Sequence, residues 1–150
     1  KPAGGASRLP GESVPDLGSV RVGTVDGRHE AYNSDPPTSG ARLPHIAPWG
    51  IHANPLPREL QVANLDEGGV VINYRPDCAS RVLATLESVV RGYPEYVVLA
   101  PYPRLDRCIA LTAWTRIDRF DEPDRDRVVR FVEAHRRRST NEAPCVEWRR

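Results

Sequence analysis

Two carboxylates stand side by side at Asp66-Glu67, directly before Gly68-Gly69 and the β-branched run Val70-Val71-Ile72. Neighbouring carboxylates can be held at different pKa values and so divide acid and base roles between them. A double glycine permits backbone angles and close approaches that other residues avoid. The run after it suits a buried strand. The stretch 63–74 therefore reads as an acidic corner at the mouth of a rigid element. Upstream lie side chains that could work with it. Arg42 would hold an anionic substrate or a developing oxyanion, and His29 and Tyr32 could shuttle protons. His45 and His52 add two more imidazoles, the commonest metal ligands, although their spacing is that of neither a helix face nor a zinc motif. A purely structural reading stays open beside this one, in which Asp66 and Glu67 cap a turn or pair with Arg42.

These side chains must be positioned by elements that the sequence also suggests. Residues 1–18 are rich in Gly, Pro and Ser and read as an extended tail or linker. Residues 19–150 then form one domain, since a chain of 150 residues suffices for a single core. Val20, Val22 and Thr24 alternate as in a short strand. From His29 to about Leu60 the chain is irregular, and the first 60 residues hold 9 of the 15 prolines and 8 of the 11 glycines. A loop this long in a compact domain is often functional, and its prolines predict a stiff wrapping over the core. After the central strand, Ala79, Val82, Leu83, Leu86, Val89 and Val90 recur at helical spacing, ending at Gly92. Tyr96–Leu99 and Ile109–Ile117 read as strands, and Asp121 with Pro123 as the start of a last helix whose inner stripe includes His135. The expectation is an α+β domain with a mixed sheet of about four strands, two helices and a long proline-rich N-terminal loop.

Composition narrows the partners. The net charge is +1, which gives no electrostatic case for nucleic acid. Arg136-Arg137-Arg138 is read as a solvated helix end rather than a docking patch. Lys1 is the sole lysine beside 20 scattered arginines, a coding bias rather than a chemistry. No apolar run reaches the roughly 20 residues that span a bilayer. The chain holds no methionine and reads as trimmed or processed, so a signal or anchor segment would lie before Lys1. Three cysteines permit at most one internal disulfide. Cys108 with Cys145 is the favoured pair, three free thiols being the alternative with Cys78.

Several motifs in order resemble a known family. They are Tyr32-Asn33-Ser34-Asp35-Pro36-Pro37-Thr38-Ser39-Gly40, Ala47-Pro48-Trp49-Gly50, Asn64-Leu65 through Gly68-Gly69-Val70-Val71-Ile72, and Ile109-Ala110-Leu111-Thr112-Ala113-Trp114. With them the chain resembles the bacterial domain-of-unknown-function family numbered 3105 from about residue 18 to about 140. The resemblance implies an exported domain, secreted or anchored outside the cytoplasm, often behind an N-terminal membrane helix; a cytoplasmic location stays open. It also implies a histidine-rich metal site, whose four positions fall here at His29, Arg42, Ala63 and Glu67. Three of the four carry something else. The donors that remain for copper or zinc are His29, Asp66 and Glu67, with His45 or His52 moving in.

Two functions follow as expectations. One is an extracytoplasmic domain that binds a metal ion or small ligand in a pocket between the 29–52 loop and the 63–69 turn. The alternative is a metal-independent enzyme of lyase, isomerase or cyclase type, using Asp66, Glu67, His29, Arg42 and Tyr32 in the same pocket. A serine hydrolase fits less well, because Ser39 sits in no nucleophile elbow. A purely structural interaction module is a third reading.

Overall fold

In the computed structural model, residues 9–25 and 27–137 are described. The strands are β1 (Glu12–Ser13), β2 (Ser19–Arg21), β3 (Gly40–Arg42), β4 (Gly50–Ile51), β5 (Val70–Tyr74), β6 (Val97–Pro101), β7 (Ile109–Ala113) and β8 (Arg116–Phe120). The helices are α1 (Arg58–Asp66), α2 (Ala79–Val90) and α3 (Arg125–His135), with a 3₁₀ turn at Pro76–Cys78 before α2. The architecture is α+β, as expected, but larger than expected. The main sheet has six strands rather than four, in the order β1-β8-β7-β5-β6-β4, and β2 and β3 form a separate parallel pair. Among the described residues there are three α-helices rather than two.

β5 is the centre of the sheet. All five of its residues are buried, so it can be apolar on both faces, and its β-branched side chains favour the pleat. It pairs parallel to β6 on one side and antiparallel to β7 on the other. β4 extends the parallel part at the edge, against β6. Alternation then sorts the side chains. Val70, Ile72 and Tyr74 point to one face with Val97, Leu99, Ile109 and Leu111, and there meet Val82, Leu86 and Val89 of α2 and Val128, Phe131 and Val132 of α3. Val71 points to the other face with Val98, where Leu65 of α1, Trp49, Leu56 and Trp114 cover it.

Four expectations are corrected by these coordinates. The stretch 29–60 is not structureless, because it contains β3, β4 and the start of α1. Ile109–Ile117 is not one strand: it breaks at Trp114-Thr115 into the hairpin β7–β8, with Thr115 at a φ of 60°. The last helix is capped not by Asp121 but by Asp124, whose side chain accepts the Arg127 amide. Asp121 instead accepts the amide of Cys108. The disulfide joins Cys78 to Cys108, not Cys108 to Cys145, and ties the 3₁₀ turn before α2 to the head of β7; Cys145 lies outside the described residues. Within the expected tail, Glu12 and Ser13 are held against Ile117 and Arg116 of β8, and Val14 is buried.

The parallel direction of β4, β5 and β6 gives the sheet two distinct rims. Their carboxyl ends, at Ile51, Tyr74 and Pro101, lie together. α1 carries the chain from beyond the carboxyl end of β4 back to Gly68-Gly69 at the amino end of β5. Each end of α1 therefore sits at a different rim.

Candidate functional site

α1 is the element on which the predicted site residues converge. Seven of its nine residues are buried, among them Glu59, Gln61, Asn64 and Asp66. Its buried polar groups have partners. Asn64 accepts the Ala47 amide at 2.9 Å and donates to the Ala47 carbonyl at 2.9 Å. Gln61 accepts from Asn73 Nδ2 at 2.9 Å and donates to the Leu56 carbonyl.

The proline-stiffened loop does fold over this helix. His29 places Nε2 2.8 Å from Glu59 Oε2 and Nδ1 2.7 Å from the Glu30 carbonyl. Both ring nitrogens thus face acceptors, an arrangement satisfied in full only when both carry protons. The Glu30 carbonyl and then Glu59 raise the pKa of His29 above its ordinary 6.5, which favours the imidazolium. Tyr32 lies beside it, ring centroids 5.0 Å apart, and donates its hydroxyl to the Ala41 carbonyl at 2.7 Å. Burial, helped by Glu59, raises the pKa of Tyr32 well out of reach of neutral pH. Arg42 reaches the other end of α1: its Nε is 3.3 Å from Asp66 Oδ2 and 2.6 Å from Ser19 Oγ. Glu59 and Asp66 are seven residues apart, two helical turns or about 10 Å.

The structure therefore joins Arg42 to Asp66, and His29 and Tyr32 to the neighbourhood of Glu59, which the sequence reading had not singled out. Asp66 is only 5% exposed, and Arg42 closes over it as an ion pair. Glu67 caps the helix C-terminus, its amide donating to the Ala63 and Asn64 carbonyls at 3.2 Å each. His45 is exposed, and His52 bonds the Pro48 carbonyl at 2.7 Å.

Nor is the glycine corner a mouth. A Cβ on Gly69 would lie 2.6 Å from the Trp49 ring and 2.7 Å from the Asn64 carbonyl oxygen. Tyr96 stacks on Trp49 at 5.2 Å, and the Arg137 guanidinium covers Tyr96 at 5.3 Å. Glycine is required here so that an aromatic ring can lie on the backbone.

The family resemblance implies copper or zinc at this donor set. His29 has no ring nitrogen to spare while it bridges Glu30 and Glu59. Arg42 is a cation already paired with Asp66, and Ala63 has no donor atom. Among the described residues, no group of three or more His, Cys, Asp or Glu side chains is placed to hold a metal ion. The residues present do not fit that site.

A concave surface does exist, at the opposite end of α1. Beyond the carboxyl ends of β4 and β6, a cleft of about 380 Å³ opens between Pro55–Glu59 and Tyr102–Arg104, with Val25 at its rim. Arg58 stands over the Tyr32 ring at 5.2 Å. Tyr102 donates its hydroxyl to Asp35, which also pairs with Arg104 at 3.3 Å. Burial, then the Asp35 bond, raise the pKa of Tyr102 far above neutral. The bond between Asp35 and Pro36 is cis. Sequence reasoning missed Arg58, Glu59, Tyr102 and Arg104. The one signal was a repeated Pro-Arg step, Pro57-Arg58 and Pro103-Arg104, each following a short strand.

Two of the quoted motifs explain themselves as packing: Ala47 and Asn64 clamp one another, and Trp49 lies on Gly69. The Tyr32–Gly40 motif touches residues that line the cleft: Tyr32 lies under Arg58, and Asp35 bonds Tyr102 and Arg104. No curated protein and no solved structure matches the chain. Residues 25–147 match the family described as "Protein of unknown function (DUF3105)", and the chain belongs to that family.

Proposed function

We propose that this domain works outside the cytoplasm and binds a small organic ligand, without turning it over, in the cleft between Pro55–Glu59 and Tyr102–Arg104. The observation that carries this reading is the position of the cleft. It lies outside the carboxyl ends of parallel strands, next to the N-terminal end of a crossover helix, where open α/β sheets hold ligands. The pocket first expected, between the 29–52 loop and the 63–69 turn, is replaced by this one, because Arg42, Asp66 and Trp49 fill that region.

Binding rather than catalysis fits the side chains. His29 is held as a donor at both nitrogens, Tyr32 and Tyr102 are committed donors with raised pKa values, and Asp66 is locked to Arg42. Each side chain on this list is engaged by a partner within the protein. An extracytoplasmic location is supported by the buried Cys78–Cys108 disulfide, since such bonds persist in oxidising compartments. Among the described residues, no helix is long and apolar enough to cross a membrane.

The test is an amide-resolved NMR titration with matched sets of small acids, amides and amines on aromatic and aliphatic bodies. At least one set should shift the amides of Leu56, Arg58, Glu59, Tyr102 and Arg104. If the folded protein gives no response there with any member, or responds only elsewhere, the reading is overturned.

A further inference from the structure

We propose that the cleft takes a small organic carboxylate, with Arg58 as its main anchor and Arg104 as its second; this rests on the binding reading above and adds the chemical class of the ligand. The argument is an account of charge. One carboxylate lines the cleft, Glu59, and a second, Asp35, is bonded to its lining residues Tyr102 and Arg104; both are occupied. Glu59 is 2.8 Å from His29. Asp35 accepts the Tyr102 hydroxyl and meets Arg104. Arg58 is different. Among the described residues it has no carboxylate within ion-pair distance, and its one close contact is the face of Tyr32. Both carboxylates are thus engaged, and the guanidinium of Arg58 is the charge left over.

That surplus selects the ligand's sign. A cationic ligand would find both carboxylates engaged and two guanidinium groups repelling it. A carboxylate would find a planar donor fork with no competing partner, the geometry guanidinium groups match best. The remaining wall selects the ligand's body. Pro55, Leu56, Pro57 and Pro103 present apolar surface on backbone that proline holds stiff. A bare inorganic anion would leave this wall uncovered, whereas a flat apolar body would lie on it. Both tyrosine hydroxyls are already donating inward, so neither competes for the anion.

The deciding experiment compares sodium benzoate with benzamide, which has the same body without the charge, by NMR titration of the full chain. The remaining acid–amide pairs of the panel are run alongside. Benzoate should move the amides of Leu56, Arg58, Glu59, Tyr102 and Arg104, with benzamide weaker by about tenfold, the ratio a lost charged hydrogen bond produces. Arg58→Gln should weaken benzoate by about tenfold and Arg104→Gln by about threefold, because Arg104 is shared with Asp35. Arg58→Lys should recover part of the loss. If each amide binds in the cleft as well as its acid, the carboxylate class is overturned while the binding reading stands. If no compound binds there, both fall. Benzoate affinity unchanged in Arg58→Gln overturns the anchor. Should that variant not fold, the exposed Arg104→Gln decides by the same criterion.

Discussion

The two ends of α1 make an instructive pair. The C-terminal end, from Asn64 to Gly69, is dense with motif residues, carboxylates and glycines, and it is packed solid. Asn64 grips Ala47, Arg42 closes over Asp66, and Trp49 lies on Gly69. The N-terminal end, Pro57 to Glu59, carries no motif, and it is where the surface is concave. Acidic residues beside glycines can mark a joint as readily as a site. What separates the cases is whether the volume in front of them is filled, and that is a property of residues far away in the chain.

This contrast can be broken most severely at Gly69. Gly69→Ala drives a methyl into the Trp49 ring and the Asn64 carbonyl, and the backbone atom cannot move aside. A loss of about 3 kcal/mol in denaturant-derived stability is expected, at the upper end for overpacking. An open corner would tolerate alanine with little change, and such a result would return the acidic corner to consideration as a cavity. Asn64→Ala is next. It strands the buried amide and carbonyl of Ala47, and about 2 kcal/mol should be lost by the same measurement.

At the other end the expected effects are smaller and depend on pH. The folded-state pKa of His29 is raised, so its stabilisation is fully present below the unfolded value of 6.5 and is lost as pH rises through the folded value. The stability advantage of the native protein over His29→Gln should be about 1 kcal/mol at acid pH and shrink as pH rises above neutral. A gap that widens with rising pH would show His29 neutral in its resting state and reopen a metal or base role. Smallest of all, Arg58→Gln should change stability by about 0.5 kcal/mol, the loss of its half-exposed contact with the Tyr32 ring. A larger loss would mean that Arg58 belongs to the packed scaffold rather than to a binding surface.

The sequence made some of this visible and hid the rest for physical reasons. β5 and α2 were legible because burial there follows a single period: continuous for β5 and 3.6-residue for α2. α1 was not, because the face it buries is partly polar. Glu59, Gln61, Asn64 and Asp66 are buried through partners, so the apolar stripe never appears, and Pro57 offers no capping side chain. The β7–β8 hairpin was hidden by Trp114-Thr115, a turn with neither glycine nor asparagine. β1, β3 and β4, at two or three residues each, are too short to show alternation. The meeting of Arg42 with Asp66 was foreseen as a structural option. The cleft was not, since Arg58 and Arg104 are separated in sequence by β5, α2 and β6.

The way α1 is seated has one more consequence. Apolar contact alone would let a short helix slide or roll by a fraction of a turn with little penalty. Asn64 grips a single peptide unit at both its N–H and its C=O, and Gln61 meets a single side chain, Asn73. Those contacts accept one register and no other. Whatever arrives at the arginine end thus meets a rim of constant width, set by amides buried up to two turns away.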